Sequence, residues 1–484
     1  MKIRRTTHPD ALVSILKQAL SPDRVRNDAA ERSLFSNDAS IFKGGASGPV
    51  CFPVSTAEVQ AITRIALDHG RAIVPRGAGT GLSGGAIPLG EPIVVSTMKM
   101  NKILEVDLVH RIAWVEPGVV NLDLTKTLMP LGFHFAPDPS SQQSCTIGGN
   151  VANNSGGPHC LAYGVTSQHV VALDVVLPNG ELVHLGGLDA EPEGYDLRGA
   201  YVGGEGTLGI ATRIAVRLTP NPQAVQTLLL AFNSVEDAAN TVSAVIASGI
   251  VPAAMEVMDQ LITQAVENYV NAGYPTDAAA VLLAEVDGLS SGVAVNAERI
   301  AAIGREHGAV SVRVASNDEE RARLWKGRKT AFGAVAQIAP AYYLHDTVVP
   351  RSQLAGVLRR VYEIGAEYHL TIVNVFHAGD GNLHPLILFD PRENGVLERV
   401  HAAASDIVEV SLSVGGVLSG EHGIGIEKRD HMELMFSFDD LDHQRRLRSA
   451  FDPLCRSNPG KVLPSPHSCA DIQSLSRIPE GVWG

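Results

Sequence analysis

Three glycine-rich clusters in the first 210 residues constrain most strongly how this chain can fold. The first cluster, residues 75–85, follows a short apolar segment and has the sequence PRGAGTGLSGG. Its glycines show a G-x-G-x-x-G spacing that begins at Gly79. In a dinucleotide-binding βαβ unit, a helix begins at the end of this motif. Here Gly85, Pro88 and Gly90 follow and disfavour such a helix. The cluster is therefore either a plain turn or a loop whose consecutive backbone N–H groups bind phosphate oxygens.

Two further clusters favour the second interpretation. Residues 137–157 include PDPSS and TIGGNVANNSGG, and residues 203–210 have the sequence GGEGTLGI. Glycine allows the backbone to approach a ligand closely, while Asn and Ser carry hydrogen-bonding groups on short side chains. Since a single nucleotide phosphate would need only one such loop, three loops predict a large, extended ligand that carries phosphate.

The composition is that of a globular protein. Of the 484 residues, 45% are hydrophobic and 19% are charged, which excludes an intrinsically disordered chain. The formal net charge of −13 argues against nucleic-acid binding, because phosphate neutralisation dominates that affinity. The five cysteines are widely spaced and include no C-x-x-C, which excludes a disulfide scaffold, a zinc ribbon and a cysteine-ligated iron–sulfur cluster.

No targeting or anchoring segment is predicted. The N-terminal sequence MKIRR is not followed by an apolar stretch, and no run approaches the ~18 apolar residues of a membrane span. We therefore expect a cytoplasmic protein without an intrinsic membrane segment.

Periodicity and proline content predict an α+β fold built in consecutive parts. Residues 1–46 are predicted to form a helical arm, and residues 47–222 a domain of short β-rich segments separated by glycine-dense loops. The sequence TPNP at 219–222 predicts a domain boundary, because its two prolines interrupt regular structure. Helical and strand patterns alternate in residues 223–465, which we expect to form an α+β cap or substrate domain, and residues 466–484 are a polar tail.

Residues 373–389, with the sequence VNVFHAGDGNLHPLILF, contain the clearest indication of a metal site. Asp380-Gly381 between two apolar runs is typical of a two-residue type I′ hairpin turn. That turn would place His377 directly opposite His384, at the ~4.5–5.5 Å Cβ separation from which two imidazoles can share a metal ion. The alternative is that the two histidines make separate structural hydrogen bonds.

The motif SGEHGIG at 419–425 supplies a candidate third ligand. Glu421 and His422 are adjacent, and adjacent side chains on an extended segment point apart, so we expect them to have different roles. By itself, a Glu-His pair of this kind is more often a solvated turn. Two histidines and one carboxylate would leave open coordination positions, as catalytic metal sites do.

The glycine-rich motifs quoted above resemble the FAD-binding domain of the vanillyl-alcohol-oxidase-like flavoproteins, also called the PCMH type. The resemblance runs from about residue 35 to Lys461. Within that family it is strongest to the branch that holds D-lactate dehydrogenase, D-2-hydroxyglutarate dehydrogenase and the FAD-linked D subunit of glycolate dehydrogenase (glycolate oxidase). It implies a two-lobed FAD-binding domain followed by an α+β substrate or cap domain.

The resemblance also implies that FAD is bound, without a covalent tether, because these loops lack a histidine where tethered relatives have one. The residues implied to contact FAD lie in the three clusters, in the histidine segment 373–389 and near the end of the chain; they are Arg76, Gly77, Gly79, Thr80, Gly81, Leu82, Ser83, Pro137, Asp138, Ser141, Gly148, Gly149, Asn150, Asn153, Asn154, Gly157, Glu205, Gly209, Ile210, Asn382 and Asn458.

The same resemblance assigns roles at the candidate catalytic site. His377, His384 and Glu421 correspond to the ligands of a divalent metal, with zinc as the first expectation and manganese or iron as alternatives. His422 corresponds to the catalytic base. Arg328 corresponds to an arginine that binds the substrate carboxylate, for which a surface basic cluster is the alternative.

Two leucines bear on the size of the substrate. Leu344 and Leu386 stand where D-2-hydroxyglutarate dehydrogenases place a lysine and an asparagine for a second carboxylate. An apolar pair cannot bind a distal carboxylate, which predicts a short 2-hydroxy monocarboxylate as the substrate.

Taken together, the resemblance implies an FAD-dependent 2-hydroxy-acid dehydrogenase that oxidises glycolate to glyoxylate, or alternatively D-lactate to pyruvate, by metal-assisted hydride transfer to flavin N5. It further implies a second flavin-type subunit and an iron–sulfur subunit as partners, which would hold the protein peripherally at the inner face of the membrane. The alternatives are a stand-alone D-lactate or D-2-hydroxyglutarate dehydrogenase, a flavin oxidase acting on sugars or aromatic alcohols, and a non-catalytic flavin- or metal-binding subunit.

Overall fold

The computed structural model describes residues 9–42, 44–188 and 194–464. The predicted polar tail, 466–484, lies outside the described residues. The chain forms two compact units: unit 1 comprises residues 1–156, 165–220 and 421–484, and unit 2 comprises residues 157–164 and 221–420. The chain therefore leaves unit 1 twice, whereas the predicted domains follow one another along the sequence.

Unit 1 contains a four-stranded sheet, a five-stranded sheet and a two-stranded ladder. The order in the four-stranded sheet is Val25–Arg26, Val50–Cys51, Ile93–Ser96 and Ile73–Arg76, and its last three strands are parallel. The five-stranded sheet is antiparallel, in the order Ile103–Asp107, Ile112–Val115, Ile210–Arg217, Val170–Val176 and Leu182–Gly186. The ladder pairs Phe133–His134 with Thr219–Pro220.

The helices of unit 1 are 4 to 14 residues long. Their bounds are Pro9–Ala19, Ala29–Ser33, Thr56–Asp68, Asn121–Leu128, Ile147–Asn153, Thr166–His169, Leu197–Tyr201, Met432–Met435 and Phe438–Phe451. The Thr56–Asp68 helix shows why the sequence folds locally as it does. Ser55 accepts a hydrogen bond from the N–H of Glu58, and Val59 and Ile62 are buried in a hydrophobic cluster shared with strands of both larger sheets.

Unit 2 is built on a branched antiparallel sheet. Its main path runs through Ala309–Val314, Ala224–Phe232, Ala280–Gly288, Ala254–Asp259 and Thr371–His377. At Thr371–His377 the sheet divides into two branches, one through Asn382–Leu383 to Thr347–Val348 and the other through Pro385–Phe389 to Ala341–Leu344.

Helices cover both faces of this sheet. One face packs against Gln260–Val270 and Asp318–Ala334, and the other against Val235–Ala247, Ser290–Glu306 and Leu354–Glu367. Unit 2 also contains the helices Cys160–Tyr163 and Val396–Ser413. Because both faces are covered, the central strands are buried almost without interruption, and their sequences are largely apolar apart from a few buried carboxylates such as Glu256 and Glu285.

The described residues confirm the predicted α+β class. As expected, no helix follows the first glycine-rich cluster directly. The second cluster differs from the expectation of a loop, since Ile147–Asn153 forms a helix. Thr146 caps this helix by accepting the N–H of Gly149, and a side chain at Gly148 would collide with Pro117, so close packing accounts for this glycine.

Candidate functional site

The paired histidines of unit 2 come together, but not in the predicted register. The turn is not the two-residue Asp380-Gly381 type: four residues, 378–381, connect the strands, and His377 pairs with Asn382. His384 follows two residues after Asn382 and therefore lies on the same face, diagonal to His377. The ring centroids of the two histidines are 5.1 Å apart. The register prediction was wrong by two residues, a shift that preserves which face of the sheet each side chain occupies.

A buried glutamate that the sequence analysis did not single out orients this pair. Glu256 lies opposite His377 on the neighbouring strand, and its carboxylate accepts a hydrogen bond from His377 Nδ1 at 2.8 Å. A proton on Nδ1 places the lone pair of the imidazole on Nε2, which is the atom that would bind a metal. The available signal was a single charged residue within the apolar strand sequence AMEVM.

The same carboxylate lies against Arg328. Arg328 is carried by the Asp318–Ala334 helix, which Asn317 caps, and its side chain is only 1% exposed. Its Nη2 is 2.6 Å from Glu256 Oε2, while its Nε has no hydrogen-bond partner among the described residues. Arg328 is therefore not part of a surface basic cluster. A buried guanidinium with hydrogen-bonding capacity to spare is suited to a carboxylate ligand.

A second unpredicted carboxylate holds the segment that leads to Glu421. Asp346 is fully buried and accepts hydrogen bonds from Ser419 Oγ and from the backbone N–H of Gly420. Its Oδ1 is also 3.6 Å from His384 Nε2. Gly420 is the last residue of unit 2, and Glu421 is bonded directly to it.

One ligand atom each of His377, His384 and Glu421 lies within 4.8 Å of the others. This set of two imidazoles and one carboxylate fits a divalent metal of the zinc type. The expectation that Glu421 and His422 point apart was wrong: Glu421 Oε1 is 3.9 Å from His422 Nε2, because this segment bends and is not an extended strand.

In unit 1, several of the residues predicted to contact FAD meet at the loop 421–425. The carbonyl of His422 accepts hydrogen bonds from Ser83 Oγ at 3.0 Å and from Asn153 Nδ2 at 2.8 Å. The carboxylate of Glu205 accepts the backbone N–H of Ile424 at 2.6 Å. Burial raises the pKa of Glu205 to about 7.

Asn458 connects two of the glycine-rich clusters. Its Nδ2 donates hydrogen bonds to the carbonyls of Gly85 and Glu205, and its Oδ1 is 3.3 Å from Lys461 Nζ. Lys461 is completely buried, and burial lowers its pKa to about 7. The clusters thus form one hydrogen-bonded assembly within unit 1.

Other predicted contact residues have structural roles in the part of the chain that is described. Asn150 Oδ1 accepts a hydrogen bond from Asn121, Gly209 and Ile210 stand at the start of a long strand, and Asn154 ends the second-cluster helix in a left-handed conformation. Asn382 and Gly157 belong to unit 2. Contact of all these residues with FAD stays a prediction.

The first cluster fits a phosphate-bearing cofactor. Arg76 is buried, and its Nη1 has no hydrogen-bond partner within the described ranges. Burial lowers the pKa of Arg76, an effect that a bound anion would offset. Beside it, Gly79 has a φ of +75°, and a Cβ there would lie 2.1 Å from the guanidinium. Only glycine leaves this side of the arginine open to a ligand.

Comparison with known proteins identifies the family. Residues 49–186 match the family model "FAD binding domain", and residues 221–462 match the model "FAD linked oxidases, C-terminal domain". The chain belongs to the FAD-linked oxidases. It is an FAD-dependent oxidoreductase, and the resemblance seen in the sequence motifs is confirmed.

Individual relatives cover almost the whole chain. The glycolate oxidase subunit GlcD of Escherichia coli K12 is 43% identical over 88% of this chain and 85% of its own length. The GlcD subunit of Bacillus subtilis 168 is 40% identical over 93% of this chain and 96% of its own. A D-lactate dehydrogenase of Anaerostipes hadrus is 32% identical over 92% and 94%.

The fold of this FAD-linked oxidase is also that of p-cresol methylhydroxylase. The crystal structure of that enzyme with substrate bound matches with a TM-score of 0.78 over 94% of this chain and 96% of the other, at 17% identity. This supports the predicted PCMH-type fold. No helix in the described residues is both long and apolar enough to cross a membrane.

Proposed function

We propose that this FAD-linked oxidase is a 2-hydroxy-acid dehydrogenase that acts on glycolate, with D-lactate as the second candidate. The observation that carries the proposal is the convergence of His377, His384 and Glu421, within one network of buried carboxylates that also includes Arg328. A site of this kind can bind both the carboxylate and the hydroxyl group of a 2-hydroxy acid.

Arg328 would bind the substrate carboxylate in a bidentate manner, which fixes the orientation of the Cα–H bond. His422 would accept the proton of the substrate hydroxyl, a role that imidazole side chains commonly have in general base catalysis. The glycine-rich clusters would hold FAD, and His377, His384 and Glu421 a divalent metal. When bound, the metal would polarise the substrate oxygens and the flavin would supply the acceptor for the Cα hydrogen as hydride.

The proposed preference for a short substrate is supported by a pair of leucines. Leu344 and Leu386 face each other as direct partners on neighbouring strands, and Leu386 is fully buried. Leu386 also follows His384 by two residues and therefore shares its face of the strand. A second carboxylate at this position would lose its hydration without gaining a partner, at a cost of several kcal/mol.

The similarity to GlcD subunits supports membership in a larger complex. We propose that a second flavin-type subunit and an iron–sulfur subunit reoxidise the flavin, and that these partners hold the protein at the inner face of the membrane. A stand-alone D-lactate dehydrogenase is the second candidate, supported by the relatives that carry that name.

The decisive experiment is anaerobic reduction of the bound flavin by glycolate, D-lactate, L-lactate and D-2-hydroxyglutarate, before and after treatment with a chelator. We expect glycolate or D-lactate to bleach the visible flavin band rapidly, and D-2-hydroxyglutarate to do so poorly. Chelation should abolish bleaching and added zinc or manganese should restore it.

Each other outcome selects an alternative. Bleaching by these acids that survives removal of the metal would contradict metal assistance and favour a flavin enzyme whose reaction does not need His377, His384 and Glu421 as metal ligands. A flavin that stays oxidised with all four acids would contradict the 2-hydroxy-acid assignment and favour a non-catalytic subunit.

A further inference from the structure

The loop 421–425 is attached to the glycine-rich clusters from both sides. On one side, the carboxylate of Glu205 uses both oxygens: Oε1 accepts the N–H of Ile424, and Oε2 accepts the N–H of Gly425 at 2.8 Å. On the other side, Ser83 and Asn153 both donate to the carbonyl of His422. Three side chains of unit 1 therefore hold the backbone of this loop: Ser83 and Asn153 at the carbonyl of His422, and Glu205 at the two N–H groups of Ile424 and Gly425.

The backbone of Ser83 adds to this attachment. Its carbonyl accepts hydrogen bonds from the N–H groups of Ile426 and Glu427, at 2.8 and 3.2 Å. Ser83 thus forms hydrogen bonds to His422, which precedes the two glycines of the loop, and to Ile426 and Glu427, which follow them. The loop has little freedom to move relative to the first glycine-rich cluster.

Close packing explains why the loop has the sequence HGIG. A Cβ at Gly423 would lie 2.7 Å from Glu205 Oε1, and a Cβ at Gly425 would lie 2.1 Å from the carbonyl oxygen of Ser83. Both glycines also have positive φ angles, +89° and +52°. The loop can reach the Glu205 carboxylate only because these positions lack side chains.

The backbone of Glu205 is itself strained. Its φ is +49°, a conformation that is unfavourable for a residue other than glycine, and it stands between Gly204 and Gly206. Such a conformation persists only where the surroundings stabilise it, and it is frequent at functional sites. Here the backbone N–H of Glu205 donates to the carbonyl of Ala152, its carbonyl accepts a hydrogen bond from Asn458, and its carboxylate accepts the two N–H groups of the loop.

We propose that Glu205 is a positioning residue for His422, and that it acts together with Ser83 and Asn153. These side chains hold the backbone of the loop, so that the imidazole of His422 stays where it can accept the substrate proton. The inference rests on the proposed function, because it takes His422 to be the base. It goes beyond that function in giving the Glu205 carboxylate a task in proton transfer and not only in binding FAD.

The first test is hydrogen exchange of the FAD-loaded protein. In Glu205→Gln, one side-chain oxygen remains to accept two N–H groups, and the new NH2 group faces a donor. We expect exchange of the Ile424 and Gly425 amides to rise by about tenfold or more. The control is Glu58→Gln, whose carboxylate also accepts a backbone N–H in unit 1, from Val54, but which should leave exchange in the loop unchanged.

The second test is the rate constant of flavin reduction per bound FAD, measured anaerobically in a single turnover with glycolate or D-lactate. This rate does not depend on the fraction of protein that has folded. For Glu205→Gln we expect the rate constant to fall by about tenfold to a hundredfold, with the apparent substrate affinity nearly unchanged, because displacement of a base slows proton transfer more than binding. Ser83→Ala is the second variant, to be used if Glu205→Gln does not fold, and should show a smaller loss in the same parameter.

Unchanged loop exchange in Glu205→Gln would overturn the attachment itself. Faster exchange with an unchanged reduction rate would overturn the positioning role. If hydroxy acids do not reduce the wild-type flavin, the proposed function fails and the role in proton transfer fails with it. The exchange result then still decides whether Glu205 holds the loop.

Discussion

At the scale of single residues, the candidate site depends on two buried carboxylates that contact its histidines and its arginine. Glu256 contacts both His377 and Arg328, and Asp346 contacts the segment before Glu421 as well as His384. An isolated buried carboxylate is costly, so each must be compensated by the cations and donors around it. These two residues therefore couple the geometry of the histidines to that of the arginine and of the segment 419–420.

Glu256→Gln tests this coupling. Glutamine keeps one acceptor for His377 but loses the negative charge, so the imidazole becomes a weaker ligand. We expect the affinity for zinc or manganese to fall by about tenfold to a hundredfold, measured by competition with a chelator of known affinity. Glu267→Gln, whose carboxylate accepts the N–H of Gly273 and Tyr274 elsewhere in unit 2, should not change it. Equal metal affinities in both variants would contradict the role of Glu256.

At the scale of elements, one buried carboxylate connects the helix that carries Arg328 to the sheet of unit 2. Glu285, on the Ala280–Gly288 strand, accepts hydrogen bonds from Arg321 and Trp325 of the Asp318–Ala334 helix and from Thr227 of the adjacent strand. His159, from the segment 157–164, lies 3.5 Å from the same carboxylate and stacks on Trp325. Glu285 thus joins a helix, two strands and a sequence-distant segment at a single point.

This arrangement predicts how stability depends on pH. Burial by itself raises the pKa of Glu285, but hydrogen bonds from His159 and Arg321 outweigh it and hold the pKa well below its ordinary value of 4.5. A carboxyl group with a depressed pKa in the folded state stabilises the protein above its unfolded-state pKa, and this stabilisation is lost as the pH falls below that value.

Denaturant unfolding between pH 7 and pH 3 measures this effect. We expect Glu285→Gln to be less stable than the wild type by about 3 kcal/mol at pH 7 and the difference to shrink as the pH falls below about 4.5. Glu363→Gln, which removes an exposed ion pair with Arg360, should change stability by less than about 1 kcal/mol at all pH values. A difference for Glu285→Gln that does not depend on pH would contradict the depressed pKa.

At the scale of the whole molecule, we expect the stability of unit 1 to depend on a ligand bound at the glycine-rich clusters. Arg76 is a buried cation with an unused donor, and the clusters are joined to one another chiefly by polar contacts such as those of Asn458. A ligand that binds the folded state alone stabilises it, by about 2.7 kcal/mol at a hundredfold excess over Kd.

Removal and readdition of FAD tests this dependence. We expect FAD to raise the unfolding temperature of the apoprotein by several degrees, measured by thermal unfolding with circular dichroism. Riboflavin carries the same ring system without the phosphates, so it should produce a much smaller shift. Equal shifts from both compounds would contradict the assignment of the clusters to a pyrophosphate.

The sequence by itself determined which residues can bind a cofactor or a metal and which fold family the chain belongs to. Glycine clusters, the two histidines and the Glu-His motif are local signals, because conformational freedom and ligand chemistry are properties of residue types at short spacing. The face shared by His377 and His384 was also predictable, since alternation along a strand survives a register error of two residues.

Only the tertiary structure decided what holds these residues in place. Glu256 faces His377 from a strand that lies 121 residues away in sequence, and Glu205 reaches the loop 421–425 across more than 200 residues. Local patterns carry no information about such pairings, because they are set by which strands lie side by side and how closely two loops pack. The turn of the hairpin also packs closely against a sequence-distant segment: a Cβ at Gly381 would lie 2.2 Å from the carbonyl oxygen of Val349.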